Sequence, residues 1–125
     1  DNIPKNLPSL LRAQKLQKKA AKEGFDWDQI SDVFDKLDEE IGEFKEAVLK
    51  KKSADIQNEI GDIIFVITNI AKCYKIDAEE ALRSTNNKFI KRFQYIEQKI
   101  KAKGKTLKDS PLEEMERYWQ EAKNK

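Results

Sequence analysis

No histidine occurs among the 125 residues of this chain. That absence removes serine–histidine nucleophilic triads and histidine-ligated zinc from the available chemistry. Cysteine is nearly absent too. Cys73 stands alone and cannot close an internal disulfide, which fits a small apolar residue in a reducing cytoplasm. Neither sign of charge dominates: 25 Lys+Arg face 23 Asp+Glu, so bulk charge gives no indication of nucleic-acid binding. No apolar run reaches the length of a membrane span, and no signal peptide is visible, so no membrane partner is expected. No segment alternates apolar and polar residues with a period of two, which leaves strands out of the expected architecture. A starting methionine is also missing. The chain opens on Asp1, as a processed protein or a domain of a longer one does.

What is present is charge, at 38% of the residues, and an equal 38% share of apolar residues in helical periodicity. Such a chain makes one domain with a modest core. Residues 1–6 read as a tail or linker and residues 7–125 as the domain. Leu10, Leu11, Leu16, Ala20 and Ala21 support a first helix that Gly24 ends. The turn from Phe25 to Asp28 follows, with two exposed-looking aromatics. Ile30, Val33, Phe34, Leu37, Ile41, Phe44 and Val48 recur at threes and fours in a long second helix. Lys50, Lys51 and Lys52 break it, and Ser53 is the expected N-cap of a third helix running to Tyr74. Asp77 and Glu80 have capping-box spacing for a fourth helix, which ends before Gly104. Ser110 as cap and Pro111 at the first helical position start a short fifth. The expected fold is an all-α bundle of four to five helices.

Two stretches of this bundle carry the same acidic pattern. Glu40 with Glu43, and Glu59 with Asp62, each place carboxylates three residues apart beside an apolar face. At about 100° of rotation per residue, Leu37, Ile41 and Phe44 share one side of the second helix. Ile56, Ile60, Ile63 and Ile67 share one side of the third. Packing through these stripes brings four carboxylates together along one border of the interface. Converging acids raise one another's pKa. A hard divalent cation with oxygen ligands relieves that cost, Mg²⁺ above all and Mn²⁺ as the alternative. Taken alone, Glu40 and Glu43 read as a solvated face, the ordinary fate of helical acids. Glu59 and Asp62 do not, because Asp62 is the only charge between Ile60 and Ile70. A carboxylate turned toward a dry core is costly without a partner.

A cation held by carboxylates retains little positive charge, so an anionic substrate such as a polyphosphate needs further cations nearby. Lys36 stands one turn before Glu40 on the same edge, and Lys88 and Arg92 stand at i, i+4 on the fourth helix. Lysine contacts phosphate as a point charge and arginine through two parallel donors. By spacing alone, Lys88 and Arg92 read as the solvated side of a helix whose core is Phe89 and Phe93. Trp119 and Trp27 are each either core residues or platforms for a base.

Several longer motifs add to this reading. Residues 12–15 (Arg-Ala-Gln-Lys), 24–27 (Gly-Phe-Asp-Trp), the Glu-Glu-x-x-Glu motif of Glu39, Glu40 and Glu43, and the Glu-x-Gly-Asp motif of Glu59 and Asp62 are spread over most of the chain. With Asn87-Lys88-Phe89 and Arg92-Phe93 they make a sequence that resembles the MazG family of nucleoside triphosphate pyrophosphohydrolases, from Leu11 to Lys123. The likeness is nearest to the C-terminal, catalytic half of the two-domain members. The resemblance implies that Glu40, Glu43, Glu59 and Asp62 ligate Mg²⁺, with Glu39 assisting as a catalytic base. It implies that Lys36, Lys88 and Arg92 contact phosphate and that Trp119 lies near the nucleoside. One departure is that Asp55 stands where family members can carry another lysine. Lys50, Lys51 or Lys52 is the available substitute.

Two functions from different classes follow. One is Mg²⁺-dependent hydrolysis of nucleoside triphosphates to monophosphate and pyrophosphate. The other is a non-catalytic helical module that binds a metal or a partner through its acidic edge. Both sit beside a third helix that is apolar nearly all round, through Ile60, Ile63, Ile64, Phe65, Val66, Ile67 and Ile70. A helix of that kind has to be covered all round, and a homodimer or higher homo-oligomer is the expected cover, with Ile64 and Phe65 at the interface.

Overall fold

A computed structural model describes residues 3–125, so Asp1 and Asn2 of the expected tail lie outside the described residues. The described residues form five helices and no strand: α1 Ser9–Lys22, α2 Ile30–Lys50, α3 Ser53–Cys73, α4 Ala78–Ala102 and α5 Leu112–Lys123. The expected all-α architecture and its element order are found. No helix is long and apolar enough to cross a membrane among the described residues. The backbone divides into two compact units, one running to Ala81 and the other from Leu82 onward.

The helix ends follow their local chemistry. Gly24 takes a left-handed φ of 92°, which a residue without Cβ adopts freely. There its N–H reaches the Ala21 carbonyl at 3.0 Å while that of Phe25 reaches Ala20 at 2.9 Å, so α1 stops as expected. Asp77 Oδ1 accepts the Glu80 N–H at 3.2 Å, as a cap for α4 should. Two expected caps differ. Ser53 is the first residue of α3, and the flanking Lys52 makes no side-chain cap. Ser110 is buried and donates its hydroxyl to the Thr106 carbonyl at 2.9 Å. Pro111 therefore takes the N-cap position of α5 rather than the first helical one.

In the first unit, α3 packs against both α1 and α2. Its covered side carries Ile56, Glu59, Ile63, Val66 and Ile70, which repeat at threes and fours. That stripe lies one step round the helix from the expected one. Ile60 and Ile67 were expected to face α2, yet they stand 43% and 49% exposed, with Ile64 and Phe65 at 43% and 47%. An almost uniformly apolar helix offers no hydrophobic contrast from which to choose a face. The choice falls to α1, which presents buried Gln14 and Gln17 to α3.

These glutamines hold the unit together through polar contacts in a dry place. Gln14 Nε2 donates to the carbonyls of Thr68 (3.1 Å) and Ile76 (3.0 Å), and its Oε1 accepts the Ala78 N–H at 2.8 Å. Gln17 Nε2 donates to the Phe65 carbonyl at 2.8 Å and to Thr68 Oγ1 at 3.0 Å. The second unit has a separate core of Ile96, Ile100 and Tyr118, flanked by Phe93, Met115 and Trp119. Beside it the buried Glu114 takes Lys103 at 2.9 Å and Lys105 at 3.5 Å.

Replacing Gln14 by leucine should cost about 2–3 kcal/mol, because it removes three hydrogen bonds to backbone groups, two of them buried. Urea unfolding followed by circular dichroism measures this. A midpoint equal to that of the wild type would contradict the importance assigned to the network.

Candidate metal centre and adjoining pocket

The acids of α2 and α3 meet inside the seam between the two helices. Glu40 falls in the buried stripe of α2 with Val33 and Ala47, and Glu59 falls in the covered stripe of α3. Glu40 is only 5% exposed. Carboxylate oxygens of Glu40, Glu43 and Glu59 all lie within 4.8 Å of one another. One oxygen each of Glu40 and Glu59 is buried without a hydrogen-bond partner. Buried acceptors rarely stay unpaired, and a donor set made only of carboxylate oxygens fits a hard divalent cation.

Asp62 takes a different position from the expected one. It is exposed, and among the described residues it is outside this three-residue group, although its charge still helps to raise Glu59. The carboxylates that intrude into the packed seam are Glu40 and Glu59. Asp62 lies three residues further along, about 300° round the helix from Glu59, and that turns it out of the stripe.

Electrostatics within the group are uneven. Burial raises Glu59 to about 7, helped by its hydrogen bond with Glu40 and by the charges of Glu43, Glu40 and Asp62. Burial also acts to raise Glu40, but hydrogen bonds from Lys36 and Glu59 outweigh it and hold the acid below its ordinary value. Glu43 is raised chiefly by the charge of Glu40. Without a cation the group therefore keeps a proton on Glu59 near neutrality. Lys36 Nζ lies 3.1 Å from Glu40 and 3.4 Å from Glu39, and its hydrogen bond to Glu40 raises its own pKa. Glu39 points its side chain outward, 56% exposed.

Lys36 also lines a cavity of about 500 Å³ in the same unit. Leu16, Ala20, Phe65 and Val66 give it apolar walls, and Phe25 and Trp27 from the α1–α2 turn complete them. Asp26 fastens this turn. It takes Lys72 at 2.9 Å and the Trp27 N–H at 2.8 Å, and the Lys72 bond holds it below the usual carboxylate range. Gln17, Asn69 and Lys72 supply the remaining polar atoms of the wall. The sequence reading had named Trp27 but missed Asn69 and Lys72. The available signal was a polar amide inside the apolar run from Ile60 to Ile70.

Comparison with known proteins agrees with this picture. The family model described as the MazG nucleotide pyrophosphohydrolase domain matches residues 29–96. The chain belongs to the MazG family. A nucleoside triphosphate pyrophosphohydrolase of Escherichia coli (strain K12) is 41% identical over 127 residues, covering 98% of this chain and 48% of that protein. The nucleoside triphosphate pyrophosphohydrolase/pyrophosphatase MazG of Thermotoga maritima is 37% identical over 117 residues, covering 94% and 45%. The uncharacterized protein YabN of Bacillus subtilis (strain 168) is 49% identical over 124 residues, covering 98% and 25%. This MazG chain thus spans about half the length, or less, of the curated relatives it matches.

The remaining expected site residues of this MazG chain lie in the second unit. Lys88 is exposed. The Arg92 guanidinium stands 5.3 Å from the centre of the Trp119 ring, and the Phe89 ring stands 5.7 Å from it. Arg92 and Trp119 are therefore neighbours, although spacing alone had left Arg92 on a solvated face.

The raised pKa of Glu59 sets a pH dependence for the metal-free protein. A carboxyl with a higher pKa folded than unfolded binds more protons when folded, so stability falls as pH rises between the two values. For Glu59 that window runs from 4.5 to about 7. With chelator present, the melting temperature should be higher at pH 5 than at pH 8, and Glu59→Gln should flatten the difference. Equal slopes for both proteins would remove Glu59 as its source.

Proposed function

We propose that this chain is a Mg²⁺-dependent nucleoside triphosphate pyrophosphohydrolase, which breaks the anhydride between the α and β phosphates to release monophosphate and pyrophosphate. The observation that carries this reading is the carboxylate group of buried Glu40, half-buried Glu59 and exposed Glu43, with unpartnered oxygens on the first two, beside a Lys36 that also lines an aromatic-walled cavity. The names of the relatives from Escherichia coli and Thermotoga maritima support the same activity. Glu40, Glu43 and Glu59 hold the cation, and Asp62 joins them from the exposed rim. When bound, Mg²⁺ supplies the positive charge that polarises the phosphate oxygens and acidifies water.

The residues of the chain do the rest. Glu39, free of the metal group and solvent-facing, accepts the proton of the attacking water. Lys36 turns from its two glutamates to a phosphate oxygen when the acids are neutralised by the cation. The cavity walls take the nucleoside and exclude water around it. Lys88, Arg92 and Trp119 are assigned phosphate and nucleoside contacts on family resemblance alone. Residues 7–125 act as one functional domain in the cytoplasm.

The same reading includes a homodimer. Ile60, Ile64 and Ile67 leave a half-exposed apolar face on α3, which a second copy covers; Phe65, expected beside them, lines the cavity instead.

Three outcomes test this. Wild-type protein with Mg²⁺ should release pyrophosphate from nucleoside triphosphates, and release of inorganic phosphate alone would exclude α–β cleavage. Asp62→Asn should abolish turnover while leaving the melting temperature unchanged or raised, since it removes a repelling charge. An early-melting variant with full activity would make Asp62 a structural residue. Ile64→Glu should give an inactive monomer in sedimentation equilibrium, whereas an active 14.6 kDa wild-type monomer would refute the dimer.

A further inference from the structure

The turn from Phe25 to Asp28 builds one wall of the cavity, yet packing does little to hold it. Phe25 is 84% exposed and Trp27 is exposed as well, although both residues line the cavity. Backbone bonding secures the start of the turn, where the Phe25 N–H reaches the Ala20 carbonyl. Beyond that point, among the described residues, one side-chain bond ties the turn to a helix: Lys72 Nζ donates to Asp26 Oδ1 at 2.9 Å. Segments with few buried apolar contacts open at little cost. A single tether therefore decides where the rings stand.

The two partners differ in burial. Lys72 belongs to the last turn of α3, and its side chain is only 11% exposed, so its stem lies along the wall and its ammonium reaches the turn from a fixed helix. Asp26 is half-exposed, and the same Oδ1 that takes Lys72 accepts the Trp27 N–H at 2.8 Å. One oxygen thus orients the peptide that carries Trp27 and links it to α3. Charge-assisted bonds of this kind are stronger than neutral ones. We propose that the Asp26–Lys72 pair latches the aromatic turn against the cavity and so positions the nucleoside end of the substrate. This rests on the reading of the protein as a nucleoside triphosphate pyrophosphohydrolase whose cavity takes the nucleoside.

The consequence is confined to one stage of the reaction. A turn that is in place for only a fraction of the time weakens apparent binding by the inverse of that fraction. Once substrate lies against the rings, the turn is in place with or without the latch, and the acids and Lys36 are untouched. Losing the latch removes binding shared by the ground state and the transition state, which raises KM and leaves kcat alone. Asp26 and Lys72 are positioning residues, acting through Phe25 and Trp27.

Steady-state kinetics test this, using the nucleoside triphosphate that the wild type hydrolyses best and reading pyrophosphate. Asp26→Asn keeps an acceptor for the Trp27 N–H and removes the charge. Lys72→Met keeps the apolar stem and removes the ammonium. Each should raise KM roughly fivefold while kcat stays within about twofold. The double variant should be no worse than either single one, because both changes remove the same bond. The matching nucleoside monophosphate should weaken as an inhibitor in proportion to KM, while pyrophosphate, which has no nucleoside, should inhibit as it does the wild type. Partial unfolding gives the opposite pattern, a lower kcat at unchanged KM. An unchanged KM in Asp26→Asn overturns the latch, as do additive losses in the double variant or equal weakening of the two inhibitors. Each of these results leaves the pyrophosphohydrolase reading standing. No pyrophosphate from any nucleotide with the wild type overturns that reading and the latch together.

Discussion

The structure of the first unit depends on placing two acids where two helices pack. Glu40 and Glu59 occupy stripe positions that a core would give to leucine, and their burial is offset only in part. Lys36 compensates Glu40, and a retained proton compensates Glu59. Removing carboxylates from water is expensive without partners, so α2 and α3 are held in a strained electrostatic arrangement of the kind that a bound divalent cation would relax.

Something else has to hold α3 while its seam with α2 is weakened in this way. The glutamine network from α1 does so. Gln14 and Gln17 grip the backbone of α3 at Phe65 and Thr68, and Gln14 also joins the ends of α3 and α4 at Ile76 and Ala78. Hydrogen bonds to backbone carbonyls fix a helix rotationally, whereas apolar contacts between uniform aliphatic faces allow it to slide. The network therefore decides that Glu59 faces the seam and Asp62 faces outward. It also lies behind one wall of the cavity, so the pocket and the acidic group are set by one helix orientation.

Much of this was legible in the residue order. The five helices, the Gly24 stop and the Asp77 cap come from interactions between residues a few positions apart, and those survive folding unchanged. The pairing of Glu40 and Glu43 with an acidic motif on α3 was legible for the same reason, because i, i+3 geometry is a property of any helix. The MazG likeness was legible through whole motifs rather than through any single residue.

Rotation of α3 was not legible, because its apolar residues surround the helix and no periodicity distinguishes one face from another. Only contact with Gln14 and Gln17 makes that choice, and it exchanges the roles expected of Ile60 and Ile67 with those of Val66 and Ile70. The proton held by Glu59 and the unpaired oxygen of Asn69 belong to the same category, since both result from burial by residues distant in the chain. Sequence alone determined the helices, the family and the acids; tertiary packing determined which acids are buried and which residues line the cavity, because desolvation exists only once separate helices exclude water together.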